Sequence, residues 1–332
     1  MSLRPSDEGP HAPPEGAPGG WQENFFFICW DPAGGHGLLL HLQRVPASGL
    51  QEAQLAVSVG GRLASASLVA PFASQATPPG LAMEATVPFR EWKLEVEGRG
   101  HSGPGPLGFL ATRPGGDVPI AAELTLESVL EVADFATGLE AVVAQMRSDT
   151  TGPQMGSQAH YEQGGTWHGR LRIGDDTIET AGLFVRDHSW GVRHEHQDFR
   201  AFWTASCLDD GRLFCNAIGI PSGDGVIGVG VVVDESGATF THDVGARFTP
   251  EPGLLTYDSA TVEFGSGISR TLRASTLVHI PIYLPHSGPR RYDNNAISAV
   301  EMEGRSGFGV IEWAAVLGQA EDAQLHPQEV RS

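Results

Sequence analysis

The stretch LRIGDDTIETAGLFVRDHSWGVR, residues 171–193, has the pattern of two strands joined by a tight turn. Apolar and polar residues alternate on both sides of Gly174-Asp175-Asp176. A period of two around a Gly/Asp turn is typical of an antiparallel hairpin. We therefore predict that the second strand of this hairpin carries the polar run that follows Val185.

The same alternation recurs along the chain, and it predicts an all-β protein. Short strands separated by turn residues are typical of antiparallel β-barrels and β-sandwiches with few short helices. A helix is considered for Ser128–Met146, although Leu124–Glu127 just before it alternates like a strand. Period-two runs occur at Leu55–Val59, Trp92–Val96, Val226–Val233 and Val262–Ile282.

The chain is long enough to form two lipocalin-like domains. It has 332 residues, of which 40% are hydrophobic and 18% are charged, so it can bury a sizeable core. A polar Gly/Pro stretch at 146–157 is the predicted boundary. The resulting division is a disordered tail at 1–20, domains at 21–150 and 158–319, and a second tail at 320–332.

Net charge and cysteine content indicate which binding partners and which cellular compartment to expect. A net charge of −19 disfavours nucleic acid and anionic membrane surfaces, because both carry negative charge. Three cysteines without a CxxC spacing are typical of reduced thiols in a cytoplasmic protein. No apolar run approaches the ~20 residues of a spanning helix, and the N-terminus does not resemble a signal peptide. We expect a soluble monomer or homodimer that binds a hydrophobic small molecule.

The polar run on the second strand concentrates several reactive side chains. Asp187 or His188 could act as a proton donor if burial shifts its pKa. The indole of Trp190 could hold an apolar substrate or stabilise a cation, and Arg186 and Arg193 could orient a carboxylate. The alternative is structural: an Arg–Asp pair and a buried Trp that close one end of a barrel.

Other residues are candidates for the lining of a substrate pocket. Tyr161 lies just before a predicted strand, and Phe202 and Trp203 follow the polar run. Because neighbours on a strand face opposite sides, one of Phe202 and Trp203 is expected in the pocket and the other in the core. Glu312 lies between Ile311 and Trp313 and is expected to be buried, with an arginine of the polar run as a natural partner.

Two other kinds of reaction have weaker support in the sequence: attack by a serine nucleophile and metal-dependent hydrolysis. Ser189 has no nucleophile elbow around it and would face away from His188 on a strand. A metal-dependent hydrolase using His188, His194 and His196 stays an alternative, but no ligand set with diagnostic spacing is evident. We therefore expect no metal and no organic cofactor.

The segment RDHSWG, residues 186–191, resembles the signature of the AttH-like, carotenoid 1,2-hydratase-related superfamily. The resemblance extends to the aromatic start of the chain and covers most of residues 21–317. It implies a fold of two lipocalin-like (calycin) domains. The other segments that resemble the superfamily are Trp21–Leu40, His160–Gln163, Asp209–Gly211 and Glu303–Glu312.

The resemblance also implies a reaction. Characterised relatives hydrate or cyclise isoprenoid chains without a cofactor: an acid protonates an alkene, and water or an internal nucleophile captures the cation. By position, His188 and Trp190 match the proposed catalytic His and Trp, whereas Ser189 stands where the hydratases carry Asn. The Tyr and acid of the hydratases have no counterpart at Arg212–Ala217. We expect a hydratase, dehydratase or cyclase with Asp187 and His188 as acid and base. A non-catalytic carrier of a hydrophobic molecule is the alternative.

Overall fold

The computed structural model describes residues 3–16, 19–74, 76–102, 116–136, 138, 158–192, 200–222, 225–250, 256–283 and 291–316. Short 3-10 turns occur at Pro5–Glu8, Pro46–Ser48 and Asp209–Gly211. The strands are β1 Trp21–Asp31, β2 His36–Val45, β3 Leu50–Val59, β4 Arg62–Pro71, β5 Leu81–Val87, β6 Glu91–Ser102, β7 Val118–Glu127, β8 Ala133–Asp134, β9 Gln158–Ile173, β10 Asp176–Val192, β11 Arg200–Leu208, β12 Leu213–Ser222, β13 Gly225–Asp234, β14 Gly237–Thr241, β15 Val244–Thr249, β16 Ser259–Phe264, β17 Arg270–Tyr283, β18 Arg291–Met302 and β19 Arg305–Val316.

These strands form two antiparallel sheets. In the first sheet the order is β10-β1-β2-β3-β4-β6-β7-β9, and β9 pairs with β10, so the sheet closes on itself; β5 pairs with β6 and β8 with β9. The second sheet has the order β14-β13-β12-β11-β19-β18-β17-β16-β15. The predicted hairpin is β9 and β10, with Ile173 opposite Asp176. The prediction of an all-β, lipocalin-like fold is confirmed.

From Phe25 to Trp30, β1 is apolar on both faces because each face meets a core. Phe25 and Phe27 point into the core inside the first sheet. Phe26 and Ile28 point the other way and pack in a core that also contains residues of the second sheet, such as Phe214. Alternation of side chains along a strand explains this division. Burying one such side chain stabilises the fold by about 1.5–3 kcal/mol.

The change from one sheet to the other falls later in the chain than the sequence indicated. Residues 158–192 were assigned to the C-terminal half, but β9 pairs with β7, and β10 pairs with β1. The second sheet contains strands from β11 onward. A polar Gly/Pro stretch marks a loop, and a loop can join two strands of one sheet as well as two domains, so the domain limits stay a prediction.

The N-terminal segment also differs from expectation. Residues 1–20 were predicted to be a disordered tail, but Pro5–Glu8 forms a turn and the Glu8 side chain is only 2% exposed. Buried hydrogen bonds hold this segment where composition predicted none. Of the stretch considered for a helix, Ala133–Asp134 forms β8, whereas Phe135, Ala136 and Gly138 are helical. Residues 137 and 139–146 lie outside the described residues, as does the predicted tail at 320–332.

Within the described part of the chain, none of the helices combines the length and the apolar character needed to cross a membrane.

Candidate functional site

The polar run on β10 is divided between two faces of the first sheet. Phe184 belongs to the core inside the first sheet, whereas Val185 belongs to the core between the sheets. Because successive residues on a strand alternate, Arg186, His188 and Trp190 follow Phe184 inward. Asp187 follows Val185 toward the second sheet. One motif therefore supplies two separate sites.

The inward face carries a group of polar residues that we call the barrel cluster. At one end of this cluster, several donors surround the carboxylate of Glu8, which comes from the N-terminal segment. Tyr161 Oη donates to Glu8 Oε1 at 2.7 Å, and Arg186 Nη2 donates to the same oxygen at 2.9 Å. The barrel cluster comprises Glu8, His11, Glu23, Arg44, Tyr161, Gln163, Arg186 and His188.

Arg186 is held on every side. Its guanidinium donates to Gln163 Oε1 at 2.9 Å and lies 5.0 Å from the centre of the Trp92 ring. Burial opposes the charge, but the neighbouring Tyr161 and Glu8 outweigh burial and raise the pKa of Arg186. Arg186 therefore stays a cation in the interior of the sheet.

Each ring nitrogen of His188 lies beside a polar side-chain atom. Its Nδ1 lies 3.1 Å from Tyr161 Oη, and its Nε2 lies 3.0 Å from Glu23 Oε1. Because a carboxylate only accepts, we assign the proton to Nε2. Burial lowers the pKa of His188 even though Glu23 opposes this shift. A neutral ring stacked on Phe25 at 3.8 Å results.

Glu23 links His188 to the second half of the barrel cluster. His11 Nδ1 lies 2.7 Å from Glu23 Oε1, and Arg44 forms a buried ion pair with Oε2 of the same carboxylate. Burial alone would raise the pKa of Glu23, but His11, His188 and Arg44 lower it to about 2. Glu23 is therefore ionised at neutral pH. Trp190 is half-buried above this group, and its ring stacks on His11 at 4.1 Å.

The opposite face of β9 and β10 carries a second group, the inter-sheet cluster, formed by His160, Glu162, Asp187, Trp203 and Asn216. His160 Nε2 lies 2.9 Å from Glu162 Oε1 and also forms an ion pair with Asp187. From the second sheet, Trp203 Nε1 donates to Glu162 at 2.7 Å and Asn216 Nδ2 donates at 2.5 Å. Glu162 is thus held from both sheets.

The inter-sheet cluster places two carboxylates against one imidazole. Burial opposes a charge on His160, but Asp187 and Glu162 outweigh it and raise the pKa of His160 to about 10. Burial raises the pKa of Glu162, and His160 opposes that shift. The side chains of His160 and Asp187 are each 14% exposed, whereas Glu162 is fully buried. The cluster therefore combines one fully buried carboxylate with two side chains that stay slightly exposed.

The structure distributes the predicted site residues unevenly. Arg186, His188, Trp190 and Tyr161 lie together on the inward face, and Asp187 and Trp203 lie together between the sheets. The catalytic pair expected from the sequence is thus not a hydrogen-bonded pair: Asp187 pairs with His160, and His188 with Tyr161 and Glu23.

Three further expectations have different outcomes. Phe202 is 1% exposed in the core of the second sheet and Trp203 is half-buried, in line with the expected opposite faces. Glu312 is half-buried, but the carboxylate beside Arg186 is Glu8 rather than Glu312. Arg193, His194 and His196 lie outside the described residues.

Sequence reasoning missed several members of the barrel cluster. Glu23 and Arg44 carry a recognisable signal, because each is a charged residue close to a long apolar run of its strand and must find a partner when buried. Glu8 and His11 carry no such signal. They lie in a Pro/Gly-rich segment whose composition is that of a flexible tail.

Two groups among the described residues have donor sets that a metal ion could use. In each group the ligand atoms lie within 4.8 Å of one another, and each combines imidazole with carboxylate. Such ligands suit zinc or another divalent transition metal. The first group is His11, Glu23 and His188, and the second is His160, Glu162 and Asp187.

The comparisons with known proteins agree with this architecture. The family model described as "Domain of unknown function (DUF7064)" matches residues 4–316. No curated protein matches the chain by sequence.

Several solved structures share the fold over nearly the whole chain. A protein assigned to AttH from Nitrosomonas europaea has a TM-score of 0.66 at 14% identity and covers 96% of this chain and 98% of its own. Kievitone hydratase from Nectria haematococca has a TM-score of 0.56 at 9% identity, covering 92% and 97%. CghA has a TM-score of 0.51 at 11% identity, covering 89% and 88%. The predicted AttH-like fold is confirmed by these structures.

Proposed function

The chain belongs to the family described as a domain of unknown function (DUF7064), and we propose that it is an enzyme of the hydratase, dehydratase or cyclase type. Its substrate would be a hydrophobic olefin, with an isoprenoid chain as the class expected from the sequence. Kievitone hydratase shares the fold, and CghA, which also shares it, is known in a complex with Sch210972. The fold is thus compatible with both hydration and small-molecule binding.

The inter-sheet cluster is the observation that carries this proposal. Titratable groups whose surroundings push their pKa values away from the usual range occur often at catalytic sites. Here His160 and Glu162 both have raised pKa values, and Asp187 forms an ion pair with the His160 imidazole. We infer that protons are held at neutral pH within this close group of ionisable side chains.

We assign the acid–base role to Asp187, with His160 as its partner. The proton on His160 would pass to the Asp187 carboxylate and from there to one alkene carbon, and the other carbon would become a tertiary cation. Water would add to the cation, and the proton that water loses would return through the Asp187 carboxylate to His160. The sum is addition of one water, and the reverse order of steps gives dehydration. Glu162 would act as a positioning residue that fixes His160.

His188 has a different role in this proposal. Its two nitrogens face Tyr161 and Glu23, so it would hold the strand that carries Asp187 rather than meet the substrate. The sequence-based assignment of His188 and Trp190 to the reaction stays a prediction, and the same assay tests it.

The decisive experiment is product analysis in heavy-oxygen water with a panel of isoprenoid alkenes. We expect one product to gain labelled oxygen, and Asp187→Asn and His160→Gln to lower its rate by about 10²–10⁴-fold while ligand binding persists. His188→Gln should have a smaller effect. Asp176→Asn is the matched control, because Asp176 lies exposed on the same strand.

Three outcomes would contradict the assignment. A ligand that binds and returns unchanged indicates the carrier function. Retention of turnover in Asp187→Asn rejects this acid. Loss of activity on chelation, with stoichiometric metal in the active protein, indicates that one of the two imidazole–carboxylate groups binds an ion.

A further inference from the structure

The carboxylate of Glu8 occupies a complete set of hydrogen-bond donors, none of which comes from its own segment. Besides Tyr161 and Arg186, Trp92 Nε1 donates to Glu8 Oε2 at 2.5 Å and the Phe89 backbone N donates to it at 3.2 Å. Charged donors to a carboxylate give roughly twice the strength of neutral hydrogen bonds. The first sheet therefore contains a formed carboxylate site.

This site is deeply buried and cannot stay empty without cost. Tyr161, Trp92 and Arg186 are 0%, 3% and 1% exposed. A buried arginine without a partner is strongly destabilising. The geometry thus requires an anion beside Arg186, and it does not require that the anion belong to this chain.

Glu8 is presented by a segment that lies over the rim of the sheet. Arg4, Pro5 and Ser6 are exposed, and Glu8 is the one buried residue among the described residues 3–16. The turn Pro5–Glu8 pairs with no strand of either sheet. We call residues 5–10 the N-terminal strap; it inserts a single side chain into the barrel cluster.

A cleft of about 360 Å³ adjoins the Glu8 side chain. The strap forms one wall of this cleft. Much of the other wall is apolar and includes Met83, Ala85, Pro88 and Trp92. Trp92 lines the cleft and also donates to Glu8, so the cleft and the carboxylate site share a wall. Movement of the strap would join them into one cavity with an anion site at its inner end.

We propose that the first sheet binds an apolar carboxylate, such as a fatty acid, and that Glu8 occupies its carboxylate site in the resting protein. The ligand displaces the strap, places its carboxylate on Arg186, Tyr161 and Trp92, and lays its apolar body in the cleft. The proposal does not depend on the proposed reaction, because binding is measured without turnover and Asp187 lies on the opposite face.

The test is calorimetric titration of the full-length protein with dodecanoate, and with dodecanol as an uncharged ligand of equal length. Glu8→Ala should bind dodecanoate at least about tenfold more tightly than wild type, and Glu8→Gln should lie between them. The affinity for dodecanol should be the same in wild type, Glu8→Ala and Glu8→Gln. Glu15→Ala is the matched control, since it removes an exposed carboxylate from the same segment, and it should behave as wild type. Equal affinities for dodecanoate in wild type and Glu8→Ala overturn the proposal.

Two further measurements cover the case in which Glu8→Ala does not fold. In wild type, dodecanoate should increase hydrogen exchange of the strap amides; unchanged exchange at saturation contradicts displacement. The double variant Glu8→Gln/Arg186→Gln removes both charges and leaves no buried ion unpaired. It should lose the preference for dodecanoate over dodecanol, and retention of that preference contradicts the assigned site.

Discussion

At the residue scale, the two clusters use the same residue types with opposite electrostatic results. Glu23 meets two imidazoles and Arg44, so its charge is strongly favoured. Burial disfavours the ionised form of Glu162, and the single imidazole that it shares with Asp187 does not offset this effect. Burial is nearly complete in both cases. The balance of neighbouring charges, and not burial, separates a structural carboxylate from one that can hold a proton.

Glu23 predicts an acid-sensitive contribution to stability. Its pKa falls from 4.5 to about 2 on folding, so its contribution is present above pH 4.5 and is lost as the pH falls toward 2. A shift of this size corresponds to about 3 kcal/mol. Urea unfolding should therefore show that wild type loses more stability than Glu23→Gln between these pH values. Glu15→Gln should keep the wild-type slope, and parallel slopes for Glu23→Gln would reject the prediction.

His160 predicts a shift in the opposite direction. Its pKa rises from 6.5 to about 10 on folding, so its contribution to stability is present below pH 6.5 and is lost as the pH rises through 10. An NMR titration should find the ring charged at pH 8. Asp187→Asn should lower this pKa, because Asp187 makes the largest favourable contribution to the charge. A neutral ring at pH 8 in wild type would contradict the geometry of the cluster.

At the element scale, the β9–β10 hairpin was the part of the fold most open to prediction. Alternation and the Gly174 turn predicted its existence, and the register places Ile173 opposite Asp176. Alternation also predicts that Asp187 and His188 face apart, just as His188 and Ser189 do, which is why the two do not form an acid–base pair. The partners of both residues come from β9, β1 and the N-terminal segment, and pairing between distant segments leaves no local signal.

At the scale of the whole molecule, the two sheets approach closely because β9 has a glycine, without a side chain, where they touch. A Cβ on Gly164 would lie 2.8 Å from the Phe214 ring and 3.1 Å from Cys207 Sγ, both in the second sheet. Two residues away, Glu162 accepts hydrogen bonds from Trp203 and Asn216. Close approach at Gly164 is thus a condition for the inter-sheet cluster.

Gly164→Ala should therefore weaken the contact between the sheets. Overpacking of a filled core costs about 1–3 kcal/mol, and chemical unfolding should show a loss in that range together with lower activity. Gly245→Ala is the matched control, because a Cβ there meets its nearest atom at 3.5 Å. Unchanged stability and activity in Gly164→Ala would mean that the sheets can separate without loss.

The alternation along β10 has a consequence for how this protein can diverge. Even-numbered positions from 184 to 190 belong to one chamber, and odd-numbered positions from 183 to 187 belong to another. A substitution can therefore alter the barrel cluster inside the first sheet while the inter-sheet cluster keeps its members. Homologues that accept different ligands should differ at the even-numbered positions. Homologues that perform different chemistry should differ at the odd-numbered positions.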